Sequence, residues 1–292
     1  MISFSDWKDR AQYFKYKGHD IAYWEEGEGT PLILIHGFPT ASWDWHKVWD
    51  DLTSKFRVIA IDMIGFGYSA KPTSYAYSLT DQARLHESFF EQFSIRSAHL
   101  FVHDYGNSVA QELIAAFHER GTSGFQILSC AFLNGGLFPE LHHARLIQKL
   151  LNSPVGFILN RFLSKKSLRK SFHEVYGNKK PTDKDIDQFY ALMEYGGGIK
   201  NVYKLMRYIT NRKTNSTRWK SALTEASIPM TLINGPLDPV SGLHLAEYYQ
   251  QLLPHSRVTI LEGVGHYPHD EAPKEVLTAY LAFMKPLLSS LE

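Results

Sequence analysis

Cysteine is nearly absent from this 292-residue chain; Cys130 is the only one. A lone thiol excludes an intramolecular disulfide framework and fits a reducing, cytoplasmic setting. Within the apolar run QILSCAFL, Cys130 reads as a small buried hydrophobe. Long apolar runs are missing too. No stretch approaches the roughly 20 apolar residues of a membrane-spanning helix. The opening MISFSDWKDR lacks the basic-then-apolar order of a signal peptide. Internal repeats and low-complexity tracts are also lacking, and neither charge sign is in clear excess, the net being +1. What is present is ordinary globular material: 44% hydrophobic and 21% charged residues. The length suffices for one large α/β domain plus an inserted lid.

The charge is unevenly placed. Residues 161–220 hold 15 Lys/Arg against 5 Asp/Glu, and the remainder holds 16 against 25. A segment so different from its flanks has a different job. Secondary-structure periodicity divides the chain at similar places. QYFKYKGHDIAYWEE reads as two strands turning at Gly18 and His19. PLILIHG, RVIAID, AHLFVHD and QILSCAFLNGG read as buried strands. SWDWHKVWDDL, LTDQARLHESFFEQF and GNSVAQELIAAFHERG read as helices between them. Alternation stops near residue 136, gives way to helical, basic and aromatic sequence, and resumes at IPMTLINGP. The expectation is therefore an α/β fold: a mostly parallel sheet flanked by helices, interrupted by a helical cap. The boundaries expected are 1–136 and 222–292 for the two parts of the core and 137–221 for the cap.

The strand-to-helix turn VHDYGNSVA fits the frame of a nucleophile elbow, where a sharp bend lifts one side chain above the sheet. Asp104 occupies the nucleophile position, and Gly106 supplies the small residue two places on. Val102 stands where the pattern has glycine. The competing reading is that Asp104 caps the following helix. Two more loops bear on the choice. GPLDPV places Asp238 just after a strand, and GVGHYPHDE places His266 after the last one. Nucleophile, acid and histidine thus fall in the chain order of an α/β-hydrolase triad. The turn His36-Gly37-Phe38-Pro39 lies where the fold donates an oxyanion-hole N–H. The amides of Phe38 and Tyr105 are the two expected donors. His36 reads as structural, and Asp62 with Gly65 and Gly67 as shaping a neighbouring loop. His142 with His143, and His266 with His269, lack the carboxylate or cysteine company of a metal site. No metal, cofactor or nucleic acid is expected.

An aspartate nucleophile has chemical consequences. A serine attacking an sp³ carbon makes an ether, which is a dead end. A carboxylate makes an alkyl ester that histidine-activated water can hydrolyse. Asp104 therefore points to opening of an epoxide or expulsion of a halide from a small-molecule substrate. An epoxide alkoxide needs a proton donor, for which the cap offers Tyr176, Tyr190, Tyr195, Tyr203 and Tyr208. Tyr203 and Tyr208, in KNVYKLMRYITN, and Tyr190 are the leading candidates.

HGFP, DMIGFGYSAKP, HDYG and the Asp238/His266 pair resemble the haloalkane dehalogenase and epoxide hydrolase branch of the α/β-hydrolases. HDYGNSVAQEL, LNGGLFPE, YITNRK and GPLDPV are most similar to the mesoderm-specific transcript protein family, across nearly the whole chain. The resemblance implies an Asp-His-Asp hydrolase. Dehalogenases of this type hold the halide with a tryptophan after the nucleophile and an asparagine or second tryptophan. Here Tyr105 and Phe38 stand at those places, so epoxide chemistry leads and dehalogenation follows. Asn134, not being a carboxylate, leaves Asp238 as the acid. Ester or lactone chemistry comes third. A reading of another class is a binding protein on a hydrolase scaffold, with the basic cap against an anionic membrane surface.

Overall fold

A computed structural model describes residues 2–121, 124–141, 143, 145–153 and 155–289. One eight-stranded sheet forms the core, in the order β1-β2-β4-β3-β5-β6-β7-β8. The strands are β1 Gln12–Tyr16, β2 His19–Glu26, β3 Pro31–Ile35 and β4 Arg57–Ile61. They continue with β5 Ser97–Val102, β6 Gln126–Phe132, β7 Met230–Asn234 and β8 Arg257–Ile260. β1, β2 and β4 pair antiparallel, and all pairs from β4 through β3 to β8 are parallel. The first hairpin turns at Lys17 and Gly18, both with positive φ, so His19 belongs to β2 and not to the turn.

The central strands are continuous apolar runs because helices cover both faces. Leu32, Ile33, Leu34, Phe101 and Phe132 are fully buried. Parallel pairing also aligns the strand ends: Ile35 lies beside Val102, and Val102 beside Phe132. The loops that leave the carboxyl ends of β3, β5, β6, β7 and β8 are thereby gathered at one edge, where open α/β sheets bind ligands.

Among the described residues between β6 and β7, every regular element is helical, in short pieces. They include Leu146–Leu151, Gly156–Leu159, Lys165–Val175, Asp183–Glu194, Val202–Leu205, Tyr208–Thr214 and Ser216–Glu225. The last of these packs on the helix Tyr105–Arg120 of the sheet layer and runs to Glu225. KNVYKLMRYITN is not one helix; it breaks at Met206 and Arg207. Among the described residues no helix is long and apolar enough to cross a membrane.

Candidate active site

β5 ends at Val102, and the helix Tyr105–Arg120 begins three residues later. The bend between them falls on Asp104, at φ 45° and ψ −102°. A non-glycine residue at such angles is strained and persists only where its surroundings fix it. The fixings are specific. The Asp104 amide donates to the Asn134 carbonyl at 2.9 Å, and the Arg212 guanidinium donates to the Asp104 carbonyl at 3.0 Å. Glycine at 106 is required by crowding, since a Cβ there would lie 2.4 Å from the Ile35 carbonyl oxygen. No cap bond runs from the Asp104 side chain to its own helix. Its carboxylate turns instead towards the edge of the sheet.

There the two carboxylate oxygens meet different partners. Oδ2 accepts from the Phe38 amide at 3.0 Å. Oδ1 lies 4.0 Å from His266 Nε2 and 3.5 Å from Arg212 Nη2. The Tyr105 amide, at the first turn of the helix, has no acceptor among the described residues. The Tyr105 ring is buried and stacks edge-on against Phe66 and Tyr208, outside the lining of the cavity over Asp104.

His266 Nδ1 donates to Asp238 Oδ2 at 2.6 Å, which leaves Nε2 facing Asp104. Asp238 is held in turn by the Val240 amide at 2.8 Å, the Ser241 hydroxyl at 2.5 Å and the Asn134 side-chain amide at 3.2 Å. The sequence reading used Asn134 only to exclude a second acid; the structure makes it a donor to Asp238.

The charges follow from these contacts. Burial opposes ionisation of Asp104, but Arg212, then His266 and the Phe38 amide, outweigh it and hold the carboxyl below its ordinary value. Burial likewise opposes charge on Asp238, yet His266, the Ser241 hydroxyl and the Val240 amide hold it at about 2. His266 is pushed up to about 9, because the attraction of Asp238 and Asp104 overcomes the cost of burial.

Arg212 escaped the sequence reading. Its guanidinium is 1% exposed, bonds Ser108 Oγ at 2.8 Å and lies 4.5 Å over the Tyr208 ring. The only available signal was a basic residue beside the tyrosine in YITNRK; nothing in spacing says that it turns inward.

Behind the triad lies a neutral polar cluster. His103 Nε2 donates to the His266 carbonyl at 2.8 Å, fixing the loop that carries His266. Asp44, His103 and His269 are buried and can each offer a ligand atom, all within 4.8 Å of one another. Burial drives Asp44 towards its protonated form and both histidines towards theirs without charge. These are the described residues that could hold a metal ion. His142 lies outside the described residues, and His143 stacks on His244. His36 accepts the Met63 amide at 3.1 Å and donates to the Gly37 carbonyl at 2.8 Å, a loop-bracing role. Asp62 braces its own loop through Ser42 and Tyr68.

Above Asp104 and His266 is a cavity of about 120 Å³. Its walls are chiefly apolar, with Leu151, Leu168, Phe172, Met193 and Val202 from the inserted helices. Ser164, Ser167 and Ser171 add a stripe of hydroxyls along one of them. Tyr190 lines this cavity. Tyr203 does not; its ring carries Lys204 on the outside at 5.9 Å. Tyr208 is also outside the lining, packed between Phe38, Tyr105 and Arg212, with its hydroxyl accepting from Gln148 at 3.1 Å. Tyr176 donates to Asp270 at 3.2 Å, and Tyr195 is exposed. Neither tryptophan nor asparagine is among the lining residues.

Comparison with known proteins bears on the fold. The alpha/beta hydrolase fold family matches residues 30–273. The chain is 38% identical over 290 residues to the mesoderm-specific transcript protein of Mus musculus, covering 95% of this chain and 87% of that one. A haloalkane dehalogenase of Bradyrhizobium elkani superposes with a TM-score of 0.80 at 20% identity, over 96% of this chain and 99% of that one. The epoxide hydrolase CorEH superposes with a TM-score of 0.78 at 20% identity, over 95% and 99% of the two chains.

Proposed function

Given that this chain belongs to the α/β-hydrolase family of enzymes, we propose that it hydrolyses a small apolar epoxide through an alkyl ester on Asp104. The observation that carries the reading is the unequal environment of the carboxylate. Oδ2 sits on the Phe38 amide, while Oδ1 faces Arg212 and His266, and Asp104 lines the cavity.

In the first step Oδ1 attacks an epoxide carbon, the ring C–O bond breaks, and the departing oxygen takes a proton. Tyr190 is the cap tyrosine assigned to supply it, and its presence in the cavity lining supports the assignment. In the second step His266 Nε2 removes a proton from water, and the water oxygen attacks Asp104 Cγ. The 4.0 Å gap between Nε2 and Oδ1 suits a water lying beside the line that joins them. The oxyanion then develops on Oδ2, which already accepts from Phe38 and lies next to the unused Tyr105 amide. Collapse expels the diol oxygen, which takes the proton from His266, and the second water proton, left on the Asp104 carboxyl, passes through solvent to the Tyr190 phenolate, restoring both groups. Asp238 keeps the imidazole in the required tautomer throughout. Ester formation removes the charge on Asp104, so the pull on the His266 proton weakens when a base is needed.

Halide expulsion is the alternative on the same nucleophile, but the described lining of the cavity has no indole, and its side-chain amide, Gln148, donates to the Tyr208 hydroxyl. An ester or lactone substrate would leave an anhydride on Asp104. The reading is tested with a parallel panel of epoxides, haloalkanes and aryl esters given to His266→Gln. An epoxide should add its own mass to the peptide containing Asp104. Mass added by the haloalkanes alone would transfer the proposal to dehalogenation, and turnover without any adduct in the panel would end it.

A further inference from the structure

We propose that residues 150–153 and 155–170 form a docking surface for an anionic phospholipid bilayer, placed to pass an apolar substrate from that bilayer into the cavity over Asp104. The delivery role rests on the Asp104 reading; the docking surface does not.

Large exposed apolar side chains are concentrated here. Nine are exposed among the described residues, and five of them, Leu150, Val155, Phe157, Ile158 and Phe162, fall in this stretch. Phe162 is 75% exposed and Phe157 51%. The short helical pieces that carry them contact one another in series. Such a cluster on a water-facing surface marks an interaction site.

Charge selects the partner. Residues 141–173 contain seven Lys/Arg and no Asp or Glu. Three of the seven meet acids from neighbouring sequence: Arg145 with Glu174, Lys165 with Asp187 and Arg169 with Asp183. Lys149, Arg161, Lys166 and Lys170 have no ion-pair partner among the described residues. Lys166 and Lys170, four residues apart, lie exposed on one side of their helix. Apolar side chains that enter the acyl boundary, ringed by cations that meet the headgroups, are the chemistry of an interfacial anchor. A second copy meeting the same face would set cation against cation.

Position supplies the link to the site. Exposed Leu150 precedes Leu151, and exposed Phe162 precedes Leu163 and Ser164; the later residue of each pair lines the cavity. One segment therefore has its outer side in water and its inner side over Asp104.

The test uses the full chain with phosphatidylcholine vesicles, with or without about one third phosphatidylserine. Flotation should recover the chain with the anionic vesicles, at least about 10-fold more tightly than with neutral ones, and added salt should weaken binding. Phe157→Ser with Phe162→Ser, and separately Lys166→Glu with Lys170→Glu, should each weaken it by about 10-fold. None of these four residues lines the cavity, so turnover of a water-soluble substrate should stay unchanged. A solvent-sensitive dye on Phe162→Cys should shift to the blue on binding, while the same dye on Tyr13→Cys, exposed on β1, should not. The sole natural thiol, Cys130, is buried and stays unlabelled. Failure to float with anionic vesicles, binding indifferent to both double variants, an unshifted dye at 162, or self-association through this face in place of vesicle binding would each overturn the proposal. Binding without epoxide turnover would retain the docking surface and remove only the delivery role.

Discussion

The carboxyl edge of the sheet and the helices inserted after β6 solve opposite problems. At the sheet edge, Asp104, Asp238 and His266 are buried, and their charges are held by short hydrogen bonds from neighbouring loops. In the inserted helices the pieces are short, the cavity wall is apolar, and aromatic side chains stand in water. On the proposed reading, one region holds the reacting groups and the other lines the space above them. Arg212 is the exception that joins them, since it comes from an inserted helix yet binds the strained carbonyl and the carboxylate of Asp104.

The comparison can be broken most severely at Asp104, the proposed nucleophile. Asp104→Asn should lower epoxide turnover by about 10⁴-fold or more while the unfolding midpoint changes little. Kinetics with calorimetry check this, and peptide mass must show that the asparagine survives the assay. Arg212→Met should act on both regions, destabilising the fold by about 3 to 5 kcal/mol because it leaves a buried carboxylate without its cation. Denaturant unfolding measures that loss, and Arg212→Lys should recover part of it. Tyr190→Phe should act on the inserted side alone, slowing ester formation by roughly 10-fold or more with unchanged stability. Equal single-turnover rates in the two enzymes would remove Tyr190 as the donor.

The smallest effect sharpens the sheet side. His266 must be neutral to activate water, so ester hydrolysis should rise with pH through its pKa. That pKa stands at about 9 with Asp104 charged and falls once the ester removes the charge. Acid-quenched samples at steady state should therefore hold a few-fold more ester near pH 6 than near pH 8. An ester level flat across that range would show that another step limits turnover.

Much of the sheet side was legible because its signals are local. Apolar runs of strand length gave the parallel strands, and three chemical residues each followed one of them in a fixed order. The hairpin turn was misplaced by one residue, since Lys17 accepts a positive φ that its side chain does not advertise. The inserted side was legible only as helical and basic. Among its tyrosines, sequence could not separate Tyr190 in the cavity from Tyr203 outside it. Those positions depend on where KNVYKLMRYITN breaks and on which face then meets the sheet.

The amino-acid order alone determined an alternating α/β core with a helical interruption, a carboxylate at the elbow and the residues ready to serve it. Periodicity and chain order are one-dimensional properties, so they survive in the sequence. Only the tertiary structure decided that Arg212 turns inward, that Phe38 meets Oδ2 while His266 faces Oδ1, and that Phe162 is left in water. Each of these is a distance between residues far apart in the chain, set by packing the inserted helices onto the sheet.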